Sequence, residues 1–227
     1  QCKDYVRERL GIDRGSDDAP SIVVEPVHMP ASRSDADGTR RALAIWDKGR
    51  DARGTLAEAY LGRRKLELPA EADGEALRWH SGLSAMLALF RNVLTDEPQA
   101  ISRTYIGSDG AKRGRAFKGP VGGAAIKLTP SADVAYGLTI AEGIETSIAC
   151  MMIGLRPTWA TGSAGAIGAF PVLAGIDALR IAREADKTGA NHRAADECAT
   201  RWREAGREVR YFDPIFGDAA DAVEATR

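Results

Sequence analysis

The chain has 227 residues, of which 44% are apolar and 28% charged, and its formal net charge is −1. This composition excludes a fibrous or wholly disordered protein, and no apolar run approaches the roughly 18 residues that span a membrane. The three cysteines lack CxxC spacing and the three histidines are scattered, so no structural zinc site is expected. We expect a soluble, cytoplasmic protein with no membrane partner.

The first 38 residues predict the tail of an upstream module followed by a linker. A short helical pattern opens the chain, and residues 12–40 are then rich in Asp, Ser, Pro and Gly. From residue 39 to about residue 63, apolar side chains recur every three or four positions. This spacing predicts two helices separated by a break near Gly54.

Short stretches of alternating apolar and polar residues come next, separated by turns such as the Gly-Ser-Asp-Gly at 107–110. They lie at residues 76–79, 85–93, 100–106 and 124–128. The alternation favours a small antiparallel or mixed sheet. We therefore predict that residues 39–130 form an α+β subdomain.

After Pro130 the pattern changes to alternating strands and helices. Strands are predicted at residues 136–141, 157–161, 179–182 and 209–212, and helices at 145–152 and 189–206. Alternation of this kind indicates a parallel sheet with right-handed crossovers. Residues 131–227 are thus predicted to be an α/β domain in which helices flank a parallel sheet.

The near-zero net charge conceals a basic stretch. Residues 1–130 hold 21 basic and 18 acidic residues, whereas residues 131–227 hold 10 and 14. Between residues 101 and 127 one acid, Asp109, faces six bases: Arg103, Lys112, Arg113, Arg115, Lys118 and Lys127. Such a stretch could follow a phosphate backbone, or it could be a solvated hairpin.

Acidic residues follow three of the four predicted strands of the second half. Glu142 follows the first strand, and Glu184 and Asp186 follow the third. The fourth is followed by Asp213, Asp218 and Asp221. Because the carboxyl ends of parallel strands meet at one edge of a sheet, these acids are expected to converge and to bind Mg²⁺ or Mn²⁺. Each acid taken alone could equally be a helix cap or a solvated turn residue.

These motifs resemble the Toprim domain of DnaG-type primases, topoisomerases and certain nucleases. The run Ile-Ala-Glu-Gly-Ile-Glu-Thr at 140–146 and the Gly-Asp-Ala-Ala-Asp at 217–221 are similar to phage- and plasmid-type primases and primase-helicases. Upstream, residues 103–105 and 117–124 resemble the basic, Gly-containing segment that precedes Toprim in such primases. The chain departs from the family in carrying Glu184 and Ala220 where family members usually carry Asp and Asn.

The resemblance implies template-directed synthesis of RNA primers. By this resemblance, Glu142 would position or deprotonate the primer 3′-hydroxyl, Glu184 and Asp186 would hold the metal, and Asp218 or Asp221 would complete the site. The same resemblance implies that Arg103, Arg113, Arg115, Lys118 and Lys187 bind template or incoming nucleotide. The implied partners are single-stranded DNA, ribonucleoside triphosphates and, as an open question, a fused or associated helicase.

Two alternatives share these motifs. The same carboxylates could support phosphodiester hydrolysis, as in Toprim nucleases. The chain could also be a nucleic-acid-binding module that has lost activity, with Glu184 recording the loss. Other motifs predict no function: the Gly-rich run at 162–168 is interpreted as a tight strand-to-helix connection, and Cys150 and Cys198 as buried structural thiols.

Overall fold

A computed structural model describes residues 33–184 and 188–213. Four of the predicted site residues, Asp186, Lys187, Asp218 and Asp221, lie outside these ranges, as does most of the predicted linker. No helix in the described part of the chain is long and apolar enough to cross a membrane.

The described residues contain five α-helices and ten strands. The helices are α1 (Arg33–Trp46), α2 (Leu56–Arg63), α3 (Ile144–Met152), α4 (Ala164–Gly168) and α5 (Ala190–Glu204). The strands are β1 (Arg50–Asp51), β2 (Leu77–His80), β3 (Ala85–Asn92), β4 (Pro98–Ile106), β5 (Lys112–Lys118), β6 (Ala124–Ile126), β7 (Tyr136–Ala141), β8 (Thr158–Ala160), β9 (Ile176–Ala182) and β10 (Glu208–Phe212).

All ten strands belong to one sheet, in the order β1-β2-β3-β6-β8-β7-β9-β10, with β4 and β5 continuing from the other edge of β3. Strands β8, β7, β9 and β10 pair in parallel, and the remaining pairs are antiparallel. The two parts join where Ile126 of β6 lies opposite Ala160 of β8. The predicted fold class, an antiparallel α+β region followed by a helix-flanked parallel sheet, is confirmed.

Most predicted elements are present, and three elements were missed. The unpredicted elements are the two-residue β1, the short α4 and the edge strand β5. Strand β5 was interpreted only as part of a basic stretch, because four of its seven residues are Lys or Arg and no apolar alternation marks it. The Gly-rich run leads from β8 directly into α4, which Ser163 caps, as expected of a strand-to-helix connection.

Helices cover both faces of the sheet. On one face α2 and α3 pack over Met86, Ala88 and Phe90 of β3. On the other face α4 and α5 cover β7 and β9 through a buried cluster that includes Trp202, Phe170 and Trp159, and α1 covers β3 and β4. Cys150 and Cys198 are fully buried, as predicted, and burial raises the pKa of each thiol to about 12. Neither thiol is therefore a nucleophile at neutral pH.

Candidate functional site

Glu142 and Glu184 lie at the carboxyl edge of the parallel part of the sheet. Glu142 directly follows β7 and Glu184 comes two residues after β9, and these two strands pair in parallel with Ile140 opposite Ile181. Both carboxylates are partly buried. Two of the predicted acids therefore follow neighbouring parallel strands at the same edge of the sheet.

Glu184 is bonded to the first turn of α3. Its Oε1 atom accepts hydrogen bonds from the backbone N–H of Gly143, at 3.2 Å, and from the hydroxyl of Thr146. An anion at a helix N-terminus is also favoured by the orphan N–H groups and the helix dipole.

Asn191, in the first turn of α5, contacts both acidic segments. Its Nδ2 donates to Oε2 of Glu142 at 3.0 Å, and its Oδ1 accepts from the backbone N–H of Glu184 at 2.9 Å. The residue is 1% exposed. Sequence reasoning missed Asn191 and the contact of Thr146, because neither contact follows from spacing along the chain.

Glu145 joins the Toprim-like half to the first half of the chain, a role that the sequence did not predict. Its Oε1 accepts from the hydroxyl of Tyr60 in α2 at 2.6 Å and lies 3.0 Å from Nζ of Lys112 in β5. The carboxylate side chain is 14% exposed. Burial alone would raise the pKa of Glu145, but the charge of Lys112 and the hydrogen bond from Tyr60 outweigh it and lower that pKa.

Strands β4 and β5 divide the predicted basic residues between two faces of the sheet. Opposite residues of an antiparallel pair project to the same face. Arg115 lies opposite Thr104, on the face that carries α2 and α3, whereas Lys118 lies opposite Ile101, on the face that α1 covers. Arg103 belongs to the α1 face with Ile101. The predicted nucleic-acid-binding set is therefore not one continuous patch.

Two other bases of the stretch form ion pairs within the fold. Arg113 lies 2.6 Å from Asp109, four residues before it. Lys127 has a side chain only 4% exposed, lies 2.7 Å from Asp96 and stacks over the ring of Trp159. Lys127 is thus a structural cation rather than a phosphate ligand.

Arg115 and Phe117 connect the basic strand to the acidic edge. The guanidinium of Arg115 lies over the exposed ring of Phe117, 5.0 Å from its centroid, and that ring packs edge-on against Phe90. Gly162 lies beside both rings, and its backbone N–H donates to the carbonyl of Glu142. Gly162 has φ +89°, and a Cβ there would come within 2.7 Å of Phe90, so only glycine fits.

Asp213, at the end of β10, is neutralised by a neighbouring base. The guanidinium of Arg183 donates to both of its carboxylate oxygens, one at 2.6 Å from Nε. These hydrogen bonds hold the pKa of Asp213 below its usual range. Asp213 is therefore paired with Arg183, whereas Glu142 and Glu184 accept hydrogen bonds from uncharged donors.

The donor set at this edge suits a hard divalent cation. Glu142 and Glu184 offer carboxylate oxygens, which Mg²⁺ and Mn²⁺ prefer. Within the described residues, no group of three or more His, Cys, Asp and Glu side chains is placed to hold a metal ion. The remaining predicted ligands, Asp186, Asp218 and Asp221, lie outside the described residues, so the described part supplies two carboxylates of the predicted five.

Comparison with known domain families assigns both halves of the chain. Residues 36–128 match a domain of unknown function, DUF7146, and residues 137–226 match the Toprim domain. The chain carries a Toprim domain. Its Toprim part contains β7 to β10 together with Glu142, Glu184 and Asn191. Among curated protein sequences, none matches the chain.

Solved structures of primases share this fold. A DnaG primase catalytic domain bound to single-stranded DNA superposes with a TM-score of 0.58 at 13% identity, over 86% of this chain and 76% of that one. The zinc-binding and RNA polymerase domains of Aquifex aeolicus primase give 0.53 at 12% identity, over 98% and 63%. A DNA primase domain from Pseudomonas aeruginosa gives 0.45 at 18% identity, and the chain spans 52% of its length. The Toprim domain and the region before it therefore have the fold of a DnaG-type catalytic core.

Replacing Glu145 by Gln should lower the free energy of unfolding by about 1–2 kcal/mol at neutral pH, because the ion pair with Lys112 is lost. The folded-state pKa of Glu145 lies below its usual 4.5. The carboxylate therefore stabilises the fold above that pH, and this contribution is lost as pH falls through the lowered pKa. In urea unfolding, the difference in the free energy of unfolding between wild type and Glu145→Gln should shrink as the pH falls from 4.5 through the lowered pKa of Glu145.

A suitable control is Glu208→Gln, which breaks an exposed pair with Arg210. This variant should change stability little at any pH, because exposed pairs contribute little. If the difference in the free energy of unfolding between wild type and Glu145→Gln stayed constant with pH, the assignment of the ion pair would be contradicted.

Proposed function

We propose that the chain is the Mg²⁺-dependent core of a DNA primase, which synthesises RNA primers on single-stranded DNA, from a phage, plasmid or mobile-element replication protein. The observation that carries the proposal is the pair Glu142 and Glu184 at the carboxyl edge of a Toprim sheet, next to a basic strand, within a DnaG-type fold. The origin in a phage, plasmid or mobile element rests on the sequence resemblance at 140–146 and 217–221.

The proposed metal ligands are Glu142 and Glu184, with Asp186, Asp218 and Asp221 as further ligands. When bound there, Mg²⁺ supplies charge neutralisation for the triphosphate and for the attacking and leaving oxygens. Glu142 would accept the hydrogen bond of the primer 3′-hydroxyl and orient it for attack. Glu184, held by Gly143 and Thr146, would keep its carboxylate at a fixed distance from the start of α3.

The proposed nucleic-acid surface is the Arg115 side of β5. Arg115 forms no ion pair with the described residues, and exposed Phe117 beside it offers an aromatic ring to a base. A DnaG catalytic domain of the same fold has been determined with single-stranded DNA, which supports the same class of ligand here. Ribonucleoside triphosphates, and a fused or associated helicase, complete the proposed partners. The other residues proposed to contact template or incoming nucleotide are Arg103, Arg113, Lys118 and Lys187.

Primer synthesis on single-stranded DNA tests the reaction. With labelled ribonucleotides and Mg²⁺ or Mn²⁺, the wild-type chain should produce short oligoribonucleotides. Glu142→Gln and Glu184→Gln should each lose more than about 100-fold in rate, because the remaining acid cannot position the reacting groups alone. Glu208→Gln, at the start of β10, is the control and should retain wild-type activity.

Two other results would replace the primase proposal. Metal-dependent cleavage of the DNA without synthesis would assign the chain to the Toprim nucleases. DNA binding without any chemistry, unaffected by removal of the metal, would leave a non-catalytic nucleic-acid-binding module.

Arg115→Ala should weaken binding of single-stranded DNA more than Arg113→Ala. Arg115 forms no ion pair with the described residues and lies on the face of the sheet that carries α2 and α3, whereas Arg113 already pairs with Asp109. Loss of one phosphate contact should also make the logarithmic salt dependence of binding less steep by about 0.7 for a single strand. Fluorescence anisotropy with a labelled oligonucleotide at several salt concentrations measures both effects. Equal losses for the two variants would contradict the assigned face.

A further inference from the structure

Asn191 is the one side chain among the described residues that hydrogen-bonds to both acidic segments of the site. Its carboxamide N–H donates to the Glu142 carboxylate at 3.0 Å, and its carboxamide oxygen accepts from the backbone N–H of Glu184 at 2.9 Å. These two acidic residues follow different strands and lie 42 positions apart along the chain. A single buried side chain therefore links the ends of β7 and β9.

The chemistry of both contacts requires a carboxamide. The contact with Glu142 needs a donor, and the contact with Glu184 needs an acceptor. Aspartate would keep the acceptor but could not donate, and it would bring a second negative charge against Glu142. Alanine would remove both contacts and leave the backbone N–H of Glu184 without this acceptor in a partly buried position.

The backbone that carries Asn191 is firmly anchored. Asn191 is the second residue of α5, and the same helix buries an apolar stripe against the sheet and α4: Ala194, Ala195, Cys198, Ala199 and Trp202. The helix packing fixes where the carboxamide lies, and the two hydrogen bonds transmit that position to the acids. Glu184 is held independently on its other side by Gly143 and Thr146.

We infer that Asn191 is a positioning residue that orients Glu142 relative to Glu184 for the metal they would share. The inference rests on the proposed metal-dependent function of this edge. Helix α5 contributes no predicted ligand, and its role would be to set the geometry of the site. Residues that hydrogen-bond to metal-ligating side chains typically change metal affinity or activity by roughly 10- to 100-fold when removed.

Binding of Mn²⁺ alone, followed by electron paramagnetic resonance well below the unfolding temperature, provides a readout independent of catalysis. Asn191→Ala should bind Mn²⁺ roughly 10- to 100-fold more weakly than the wild-type chain. The matched control is Asn92→Ala. Asn92 also uses both ends of its carboxamide, donating to Gln99 and accepting from the N–H groups of Leu94 and Thr95, but it is the last residue of β3 and contacts neither acidic segment in these bonds. This control should lose stability and keep wild-type Mn²⁺ affinity.

A second variant keeps the test decisive if Asn191→Ala does not fold. Asn191→Asp retains an acceptor for the backbone N–H of Glu184, removes the donor to Glu142 and places a second negative charge beside it. At saturating Mn²⁺ its rate of primer synthesis should fall at least about tenfold, because Glu142 is no longer oriented. Asn92→Asp should retain the wild-type rate.

The outcomes separate the inference from the proposed function. Suppose that the wild-type chain binds Mn²⁺ and synthesises primers. An unchanged Mn²⁺ affinity in Asn191→Ala, or an unchanged rate of synthesis in Asn191→Asp, would then overturn the role of Asn191 and leave the proposed function standing. Failure of the wild-type chain to bind Mn²⁺ would overturn the metal site and the role of Asn191 with it.

Discussion

Parallel pairing of β7 with β9 brings Glu142 and Glu184 to one edge of the sheet, where like charges repel. The repulsion between two carboxylates grows as the distance between them falls. Uncharged donors oppose this repulsion: the Gly143 N–H and the Thr146 hydroxyl bond to Glu184, and the carboxamide of Asn191 bonds to Glu142. These hydrogen bonds hold both acids at one edge of the sheet, which is the arrangement that the proposed metal site needs.

The two parts of the chain differ in charge and are joined by specific contacts. The antiparallel part carries the basic strand β5, and the Toprim domain carries the carboxylates. Glu145 connects the two parts, because it receives a hydrogen bond from Tyr60 and an ion pair from Lys112. Phe117 packs beside Gly162, whose N–H reaches the Glu142 carbonyl, and so provides a second connection. The sheet itself is continuous through β6 and β8.

Local sequence patterns predicted most of the helices and strands and the positions of Glu142 and Glu184 just after β7 and β9, because apolar runs and the residues that follow them are local signals. Strand β5 was missed because an exposed edge strand can be built from charged residues without apolar alternation. The sorting of Arg103 and Arg115 onto opposite faces depends on strand register, which spacing alone does not give. The contacts of Asn191 with Glu142 and of Glu145 with Tyr60 were missed for another reason. These partners are 49 and 85 residues apart along the chain, and only folding brings them together.

Anomalous X-ray scattering from a crystal grown with Mn²⁺ tests the central claim most directly. We expect a peak at the carboxyl edge within about 2.2 Å of an oxygen of Glu142 or Glu184, with the Asn191 carboxamide still bonded to Glu142. An ordered Mn²⁺ ion at another place in the molecule, with both carboxylates away from any metal, would contradict the assignment of this edge as the metal site.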